Sequence, residues 1–299
     1  MRLSELQQCW SSGLGVVVSE RWRVRRLELL RYVSSALGDV EVSTLTPTQL
    51  FQIQRHIVGD LRLSPTTANH CVHEALRALL RDAEIGGLLE VGFRHRLYPA
   101  VSRLRRHPRE DWEPFRPGQP EKIVRAFTSR RPCFVPLVAF AFATGLRPSE
   151  LAGLRWVSVD LADRWLRVRE ARDGHFVTQG KTFGARRNLR LTRAAVRAIE
   201  PLHVLRHDPQ DYVFLGTKAA AVDLHNFTNR WWRPIVHELD GVTYRVFKAT
   251  RHTAITRALM SGRKTPEQIA HYFGTSVRML YERYYRYIDD GEEWDSALG

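Results

Sequence analysis

The feature that most constrains the fold is a basic, proline-rich stretch at 101–120, where the helical spacing of apolar residues is lost. Apolar side chains recur at helical spacing before and after it. The break therefore predicts two domains, 1–100 and 121–299, joined by a linker at 101–120. The linker carries three candidate DNA-binding residues, which are Arg103, Arg105 and Arg106. An ordinary solvated connector would have a similar composition, so the linker alone does not indicate DNA binding.

Helix signals dominate the chain before this linker. Glu20–Leu37 places its apolar residues on a helical period and is followed by glycine. Thr46 can cap a second helix that has Pro47 at its first position. Ser64 and the proline after it open a third helix, which Gly86 and the next glycine stop. The first domain is predicted to be entirely helical.

The chain after the linker combines helices with short strands. A helix is predicted from about residue 121, followed by an apolar helix that runs toward Gly145. The apolar period then changes to two in three segments, at 165–170, 175–179 and 188–191. Helices resume at 192 and continue to about 289. The predicted fold class is mainly α with a small antiparallel β-sheet.

The charge of the chain indicates its partner. Lys and Arg total 46 against 32 Asp and Glu, so the formal net charge is +14 and the pI is near 10.3. This excess favours a polyanion, and nucleic acid is preferred to a membrane because no apolar stretch approaches the roughly 20 residues that cross a bilayer. Three separated cysteines suggest neither disulfides nor a metal site, and no cofactor is expected. The first residues lack a secretion signal, so we expect a cytoplasmic protein.

Three short motifs in the second domain carry candidate catalytic residues. The first, Ala-Thr-Gly-Leu-Arg-Pro-Ser-Glu-Leu, is centred on Arg147. The second, Thr-Arg-His-Thr, contains Arg251, and the third, Phe-Gly-Thr-Ser-Val-Arg-Met-Leu-Tyr-Glu-Arg-Tyr, ends at Tyr284. Two guanidinium groups suit a phosphate site, because each makes paired hydrogen bonds to phosphate oxygens and keeps its charge at any working pH.

These motifs, in this order, resemble those of the tyrosine recombinases, also called phage integrases. The resemblance implies that Arg147 and Arg251 bind the scissile phosphate. It also implies that Tyr284, nine residues after Thr275, is the nucleophile that forms a covalent phosphotyrosyl bond. Tyr285 is the rival for this role. Neither a metal nor a cofactor is needed for such chemistry.

The resemblance assigns roles to two further residues. Lys181 lies between two predicted strands, at the place where the family has a lysine that protonates the leaving 5′ oxygen. An exposed turn lysine is the competing interpretation. Glu150 matches a family carboxylate that braces the active site without touching DNA, and a buried ion pair is its expected role.

Two positions depart from the family pattern. In the family a histidine usually lies three residues before the arginine of the second motif, but here that residue is Lys248, which as a protonated lysine can only donate hydrogen bonds. In the third motif the common histidine is replaced by Thr275. His271, four residues earlier, is a candidate to supply an imidazole instead, although a lone histidine is more often structural.

The resemblance implies a site-specific recombinase or integrase with an N-terminal helical core-binding (SAM-like) domain and a C-terminal catalytic domain. It would bind double-stranded core sites, form a homotetramer on synapsed DNA and exchange strands through a Holliday junction in the nucleoid. In free solution, away from DNA, the monomeric state stays open. Little sequence precedes the first helix, so no separate arm-site-binding domain is expected. Two other functions stay open, a type IB topoisomerase-like nicking-closing enzyme and a non-catalytic DNA-binding regulator.

Overall fold

The computed structural model describes residues 1–14, 20–105, 113–174, 176–179, 186–204, 208–216 and 220–287. The chain divides into two compact units, Met1–Pro108 and Arg109–Gly299. The division falls inside the stretch predicted as a linker. Val101 packs in the core of the first unit and Phe115 in that of the second. The finer limits of the linker stay a prediction.

The first unit contains helices throughout its described residues: α1 (Leu3–Cys9), α2 (Glu20–Leu37), α3 (Pro47–Arg55), α4 (Pro65–Asn69), α5 (Arg77–Ile85) and α6 (Phe93–Leu97). Three π-helical segments continue α1, α3 and α4, and they are Trp10–Leu14, His56–Asp60 and His70–Leu76. The third predicted helix is therefore one continuous helical segment of α4, a π-helical stretch and α5.

Local signals explain the boundaries of these helices. The Thr46 hydroxyl accepts a hydrogen bond from the backbone of Gln49 before α3, and the Ser64 hydroxyl accepts one from Thr67 before α4. The apolar faces of α2, α4 and α5 pack into one core with the start of the chain. Trp10 is buried in that core, and its indole nitrogen donates a hydrogen bond to Asp82 at 2.9 Å.

The second unit is also mainly helical, which confirms the predicted fold class. Its helices are α7 (Gln119–Arg130), α8 (Val135–Thr144), α9 (Pro148–Ala152), α10 (Arg193–His203), α11 (Leu224–Phe227), α12 (Arg233–His237), α13 (Ala249–Met260), α14 (Pro266–Phe273) and α15 (Val277–Tyr284). The apolar helix α8 contacts α7, α10 and α13 at the centre of the unit. A smaller apolar cluster joins the last three helices. Within the described residues, every helix is too short or too polar to cross a bilayer.

In the part of the chain that the structure describes, five short strands form two antiparallel sheets: β1 (Val159–Asp160), β2 (Trp165–Val168), β3 (Glu170–Asp173), β4 (Phe176–Gln179) and β5 (Arg187–Arg190). The first sheet has the order β1-β2-β5 with Leu166 opposite Leu189, and the second pairs β3 with β4. The single strand predicted at 165–170 is thus divided between two sheets. Arg169 lies at the division, and its guanidinium donates to the backbone oxygens of Val168 and Arg187.

Candidate active site

Arg147 is held by a tight turn between α8 and α9. Gly145 takes the left-handed conformation, with φ of +60°, and ends α8. Pro148 begins α9, so Arg147 stands at the helix cap, where its backbone nitrogen donates to the Glu150 carboxylate at 2.9 Å. Its guanidinium donates to the same carboxylate at 2.7 Å and to the backbone oxygen of Gly274. The side chain stays 38% exposed, so it remains accessible to a ligand.

Arg251 lies in the first turn of α13 and is only 5% exposed. Its guanidinium donates to the backbone oxygen of Gly145 at 2.9 Å and to that of Phe273 at 2.6 Å. The second motif is thereby tied to both the first and the third. Burial, with the nearby charge of Arg147 second, lowers the pKa of Arg251 to about 10, so the group stays cationic near neutral pH.

Tyr284 is the last residue of α15 and is 4% exposed. Its hydroxyl lies 2.6 Å from Nδ1 of His252, and its ring packs in the apolar cluster of the last three helices. Burial raises the pKa of Tyr284 to about 12, although the positive charges of Arg251 and Arg283 act in the opposite direction. The hydroxyl is therefore protonated at neutral pH, so action as a nucleophile would require another group to take its proton.

The rival Tyr285 and the nearby Tyr281 have different surroundings from Tyr284. Tyr285 is 53% exposed and Tyr281 is 51% exposed, and their ring centroids lie 6.1 Å apart. Both side chains are about half exposed, whereas Tyr284 alone of the three contributes to the apolar cluster. Among the described tyrosines, Tyr284 is also the one that lines a large cleft in the second unit.

One cleft of about 1040 Å³ in the second unit brings the predicted residues together. Its lining includes Arg147, Lys248, Arg251, Thr275 and Tyr284, which come from all three sequence motifs. Lys248 and Thr275 are partly buried there. Four arginines and a lysine line the cleft against two aspartates, so the site is cationic; the other two arginines are Arg172 and Arg283. Such a site suits a phosphodiester.

Glu150 contributes a buried ion pair next to this site, and its partner is Arg187. The carboxylate is 5% exposed and receives both terminal nitrogens of Arg187, each at 2.9 Å, while the Arg187 side chain is 2% exposed. Burial alone would raise the pKa of Glu150, but hydrogen bonds and charge from Arg187, with the charge of Arg147, bring it to about 2. The predicted buried ion pair is therefore present, and it joins Glu150 to a residue outside the three motifs.

Some predicted residues are not at the cleft. His271 is exposed in the last turn of α14 and does not line the cleft. Arg103 and Arg105 are exposed in the first unit. Nη1 of Arg103 lies 3.6 Å from Oε1 of Glu74. Lys181 and Arg106 lie outside the described residues.

Two residues of the site were missed by sequence reasoning. His252 follows Arg251 directly and contacts Tyr284, and Arg187 opens β5 and pairs with Glu150. His252 offered a weak signal, since it belongs to the second motif itself. The sequence around Arg187 offered no signal for an ion pair, because its partner Glu150 is 37 residues away in the chain. Arginines next to one another are also common on exposed strands.

Gly145→Ala is expected to lower the free energy of unfolding by about 2–4 kcal/mol, because the new methyl group would be both strained and overpacked. A Cβ at this position would lie 2.6 Å from Phe273 Cε1 and 2.8 Å from Ala254 Cβ. Gly262 has φ of +62° with nothing within 4 Å, so Gly262→Ala measures the backbone cost alone, about 1–2 kcal/mol. Urea unfolding of both variants tests the prediction, and equal losses would contradict it.

Comparison with known proteins finds a family model that covers the three motifs. A model of the Phage integrase family matches residues 119–289, which contain all three motifs. No curated protein matches the chain.

Solved structures resemble the chain over almost its whole length. The Tn1549 transposon integrase in complex with transposon right end DNA has a TM-score of 0.76 and 17% identity, and the match covers 100% of this chain and 98% of that one. A lambda integrase tetramer bound to a Holliday junction has a TM-score of 0.71 and 13% identity, with coverage of 99% and 80%. A lambda integrase dimer bound to a COC′ core site has a TM-score of 0.68 and 15% identity, with coverage of 99% and 79%. At these identities the likeness concerns the fold.

Proposed function

This chain belongs to the phage integrase family, whose model matches more than half of its length, and we propose how its own residues perform the reaction. The chain is a tyrosine-type site-specific recombinase, an enzyme that breaks and rejoins DNA strands. In our proposal Tyr284 is the nucleophile, and Arg147 and Arg251 bind the scissile phosphate. The observation that supports these roles is that the three side chains, from three distant motifs, line one cationic cleft.

Cleavage begins when the Tyr284 oxygen attacks the phosphorus and the bond to the 5′ oxygen breaks. The product is a covalent 3′-phosphotyrosyl bond, which keeps the energy of the broken linkage for rejoining. Arg147 and Arg251 stabilise the extra negative charge of the pentacoordinate transition state. Because Arg251 is fixed by two backbone oxygens, it is already oriented before DNA arrives.

Three other residues complete the proposed reaction. Lys181 protonates the leaving 5′ oxygen, and Lys248 and Thr275 donate hydrogen bonds to the phosphate. The positions of Lys248 and Thr275 in the cleft lining support their part of this proposal. The role of Lys181 rests on the family resemblance.

The first unit serves as the core-binding domain in this proposal, with the linker residues Arg103, Arg105 and Arg106 as further DNA contacts. A cleft of about 500 Å³ in that unit supports the assignment. Four arginines line it beside the half-exposed indole of Trp22, and they are Arg26, Arg77, Arg81 and Arg94. Such a surface can hold a DNA backbone through phosphate contacts.

The assembly and location of the protein are also proposed. The chain would bind double-stranded core sites, form a tetramer on two of them and exchange strands through a Holliday junction. The tetrameric lambda integrase on such a junction supports this arrangement, since the two chains share a fold. The enzyme would act in the cytoplasm, at the nucleoid. Family membership favours recombination over the topoisomerase-like and regulator alternatives.

A covalent adduct with DNA is the test of this function. A binding site is first selected from a library of random duplexes, and a nick is then placed at successive phosphates so that the cut strand end diffuses away. We expect an adduct that survives denaturant, with mass spectrometry finding the nucleotide on Tyr284. Exchange of strands between two such duplexes is expected next. Binding without an adduct would indicate a regulator, and an adduct without exchange would indicate a nicking-closing enzyme.

A further inference from the structure

The hydroxyl of Tyr284 is hydrogen-bonded to a histidine that the family motifs do not assign. The distance from Tyr284 Oη to His252 Nδ1 is 2.6 Å, which is short for a hydrogen bond between an oxygen and a nitrogen. Their ring centroids lie 5.5 Å apart with a tilt of 32°. Both residues are buried, at 4% and 7% exposure, and both line the cationic cleft. The imidazole is thus within proton-transfer reach of the nucleophile.

The cleft residues at the family's catalytic positions are poorly suited to take the proton of Tyr284. Lys248 and Arg251 are cations that only donate hydrogen bonds, and Thr275 offers a hydroxyl, which is a very weak base. Lys248 and Thr275 occupy positions where the family usually has histidine. His271, the candidate imidazole from the sequence, does not line the cleft. An imidazole at His252 supplies the acceptor that these positions lack.

The surroundings of His252 keep it neutral before DNA binds. Burial, followed by the charges of Lys248, Arg283 and Arg251, lowers the pKa of His252 to about 4. Lys248 and Arg251 belong to the α13 side of the imidazole, and Arg283 belongs to the α15 side. A neutral imidazole beside a protonated phenol accepts the hydrogen bond at Nδ1 and carries its own proton at Nε2.

We propose that His252 is the general base that takes the Tyr284 proton during cleavage and returns it during rejoining. The inference rests on the proposed role of Tyr284. As the bond from Oη to phosphorus forms, the O–H bond breaks and its proton moves to Nδ1, while the 5′ oxygen leaves with a proton from the general acid. In rejoining, the 5′ hydroxyl attacks the phosphotyrosine, its proton returns to the general acid, and imidazolium reprotonates Oη.

DNA binding itself strengthens this base. The scissile phosphate brings negative charge to Arg147 and Arg251, which partly cancels the positive potential that makes protonation of His252 unfavourable. The imidazole therefore becomes more basic when the substrate is in place. Proton removal from Tyr284 is thereby coupled to occupation of the cleft, and the free enzyme keeps its nucleophile protonated.

His252→Asn is the direct test, because the amide oxygen can still accept a hydrogen bond from Tyr284 but cannot hold a proton. Single-turnover cleavage of the nicked duplex is expected to slow by about 10²–10⁴-fold, with DNA binding and thermal unfolding unchanged. The wild-type rate should fall as pH drops toward the pKa of His252, which in the complex lies above its value of about 4 in the free protein. The variant should lack this dependence, which a purely structural role would not remove.

A sulfur leaving group separates the base from the acid. A duplex with sulfur in place of the scissile 5′ oxygen needs no proton on the leaving group, so it should relieve the defect of Lys181→Ala. The defect of His252→Asn should persist on that duplex. Three outcomes would overturn the proposal. The sulfur duplex could relieve the defect of His252→Asn, His252→Asn could cleave at the wild-type rate, or His271→Asn could be the variant that cleaves slowly.

If His252→Asn does not fold, the protonation state of His252 can be measured in the wild-type protein instead. Nitrogen NMR of histidine-labelled full chain should find His252 neutral at pH 7, with its proton on Nε2. A proton on Nδ1 would overturn the proposal. If the wild-type enzyme forms no adduct at all, the proposed function fails together with this inference, whereas an adduct that forms normally in His252→Asn overturns the inference alone.

Discussion

Tyr284→Phe is expected to abolish the covalent adduct, with a fall in cleavage rate of about 10⁴-fold or more, because no other oxygen takes the place of the nucleophile. The phenyl ring keeps its packing against Ile255, Phe273 and Leu280. The loss of one buried hydrogen bond to His252 costs about 1–2 kcal/mol of stability, so the variant should fold and bind DNA. Denaturing gels after incubation with the nicked duplex provide the measurement, and a binding assay on the intact duplex shows that the cleft still accepts DNA.

Tyr285→Phe and Tyr281→Phe are matched controls for this experiment. Each removes one hydroxyl from the same helical region, but both side chains are about half exposed. Their cleavage rates should stay within about threefold of the wild type, since exposed substitutions rarely change stability or geometry. An adduct that persists in Tyr284→Phe and disappears in Tyr285→Phe would move the nucleophile by one residue and remove the basis for a base at His252.

Glu150→Ala is expected to lower the free energy of unfolding by about 3–5 kcal/mol, because it leaves the guanidinium of Arg187 buried without a counter-charge. Arg187 is 2% exposed, so in the folded protein its guanidinium depends on the carboxylate rather than on bulk water. Arg147 and Arg251 lie close to the same carboxylate and add like-charge repulsion. Urea unfolding at pH 7 measures the loss. Because Arg147 would lose its orientation, cleavage should fall as well.

The control for Glu150→Ala is an exposed ion pair of the same unit. Glu238 pairs with Arg130, and their side chains are 58% and 45% exposed. Glu238→Ala should therefore cost no more than about 1 kcal/mol. Arg187→Met in the Glu150→Ala background should recover much of the lost stability, because replacing both buried charges avoids the unpaired one. Additive losses from Glu150→Ala and Arg187→Met would contradict the ion-pair account.

Acid unfolding gives a second measurement of the same pair. The pKa of Glu150 is about 2 in the folded protein, against the ordinary value of 4.5 for a solvated glutamate, so the unfolded chain binds the proton more readily. The stability that Glu150 contributes is therefore complete above pH 4.5 and is lost as pH falls toward 2, by about 3 kcal/mol. Glu150→Gln should lack this part of the pH dependence, and an unchanged acid limb in that variant would contradict the assignment.

Local signals in the sequence determined much of the fold. The caps at Thr46 and Ser64, the glycines that end helices and the helical spacing of apolar residues act within a few positions of one another, so the sequence reveals them directly. The alternation at 165–170 predicted strand structure. It could not predict that the chain changes sheets at Arg169, because strand pairing depends on which distant segment lies alongside.

The same distinction holds at the active site. The resemblance of the motifs predicted Arg147, Arg251 and Tyr284 as site residues, since each is marked by its immediate neighbours and the spacing from Thr275 selects one tyrosine among several. Only the tertiary structure decided what supports them: the burial of Arg187 against Glu150, the exposure of His271 and the contact between His252 and Tyr284. These depend on the packing of helices and strands that are remote in the chain, and such packing sets both the reach of a side chain and its pKa.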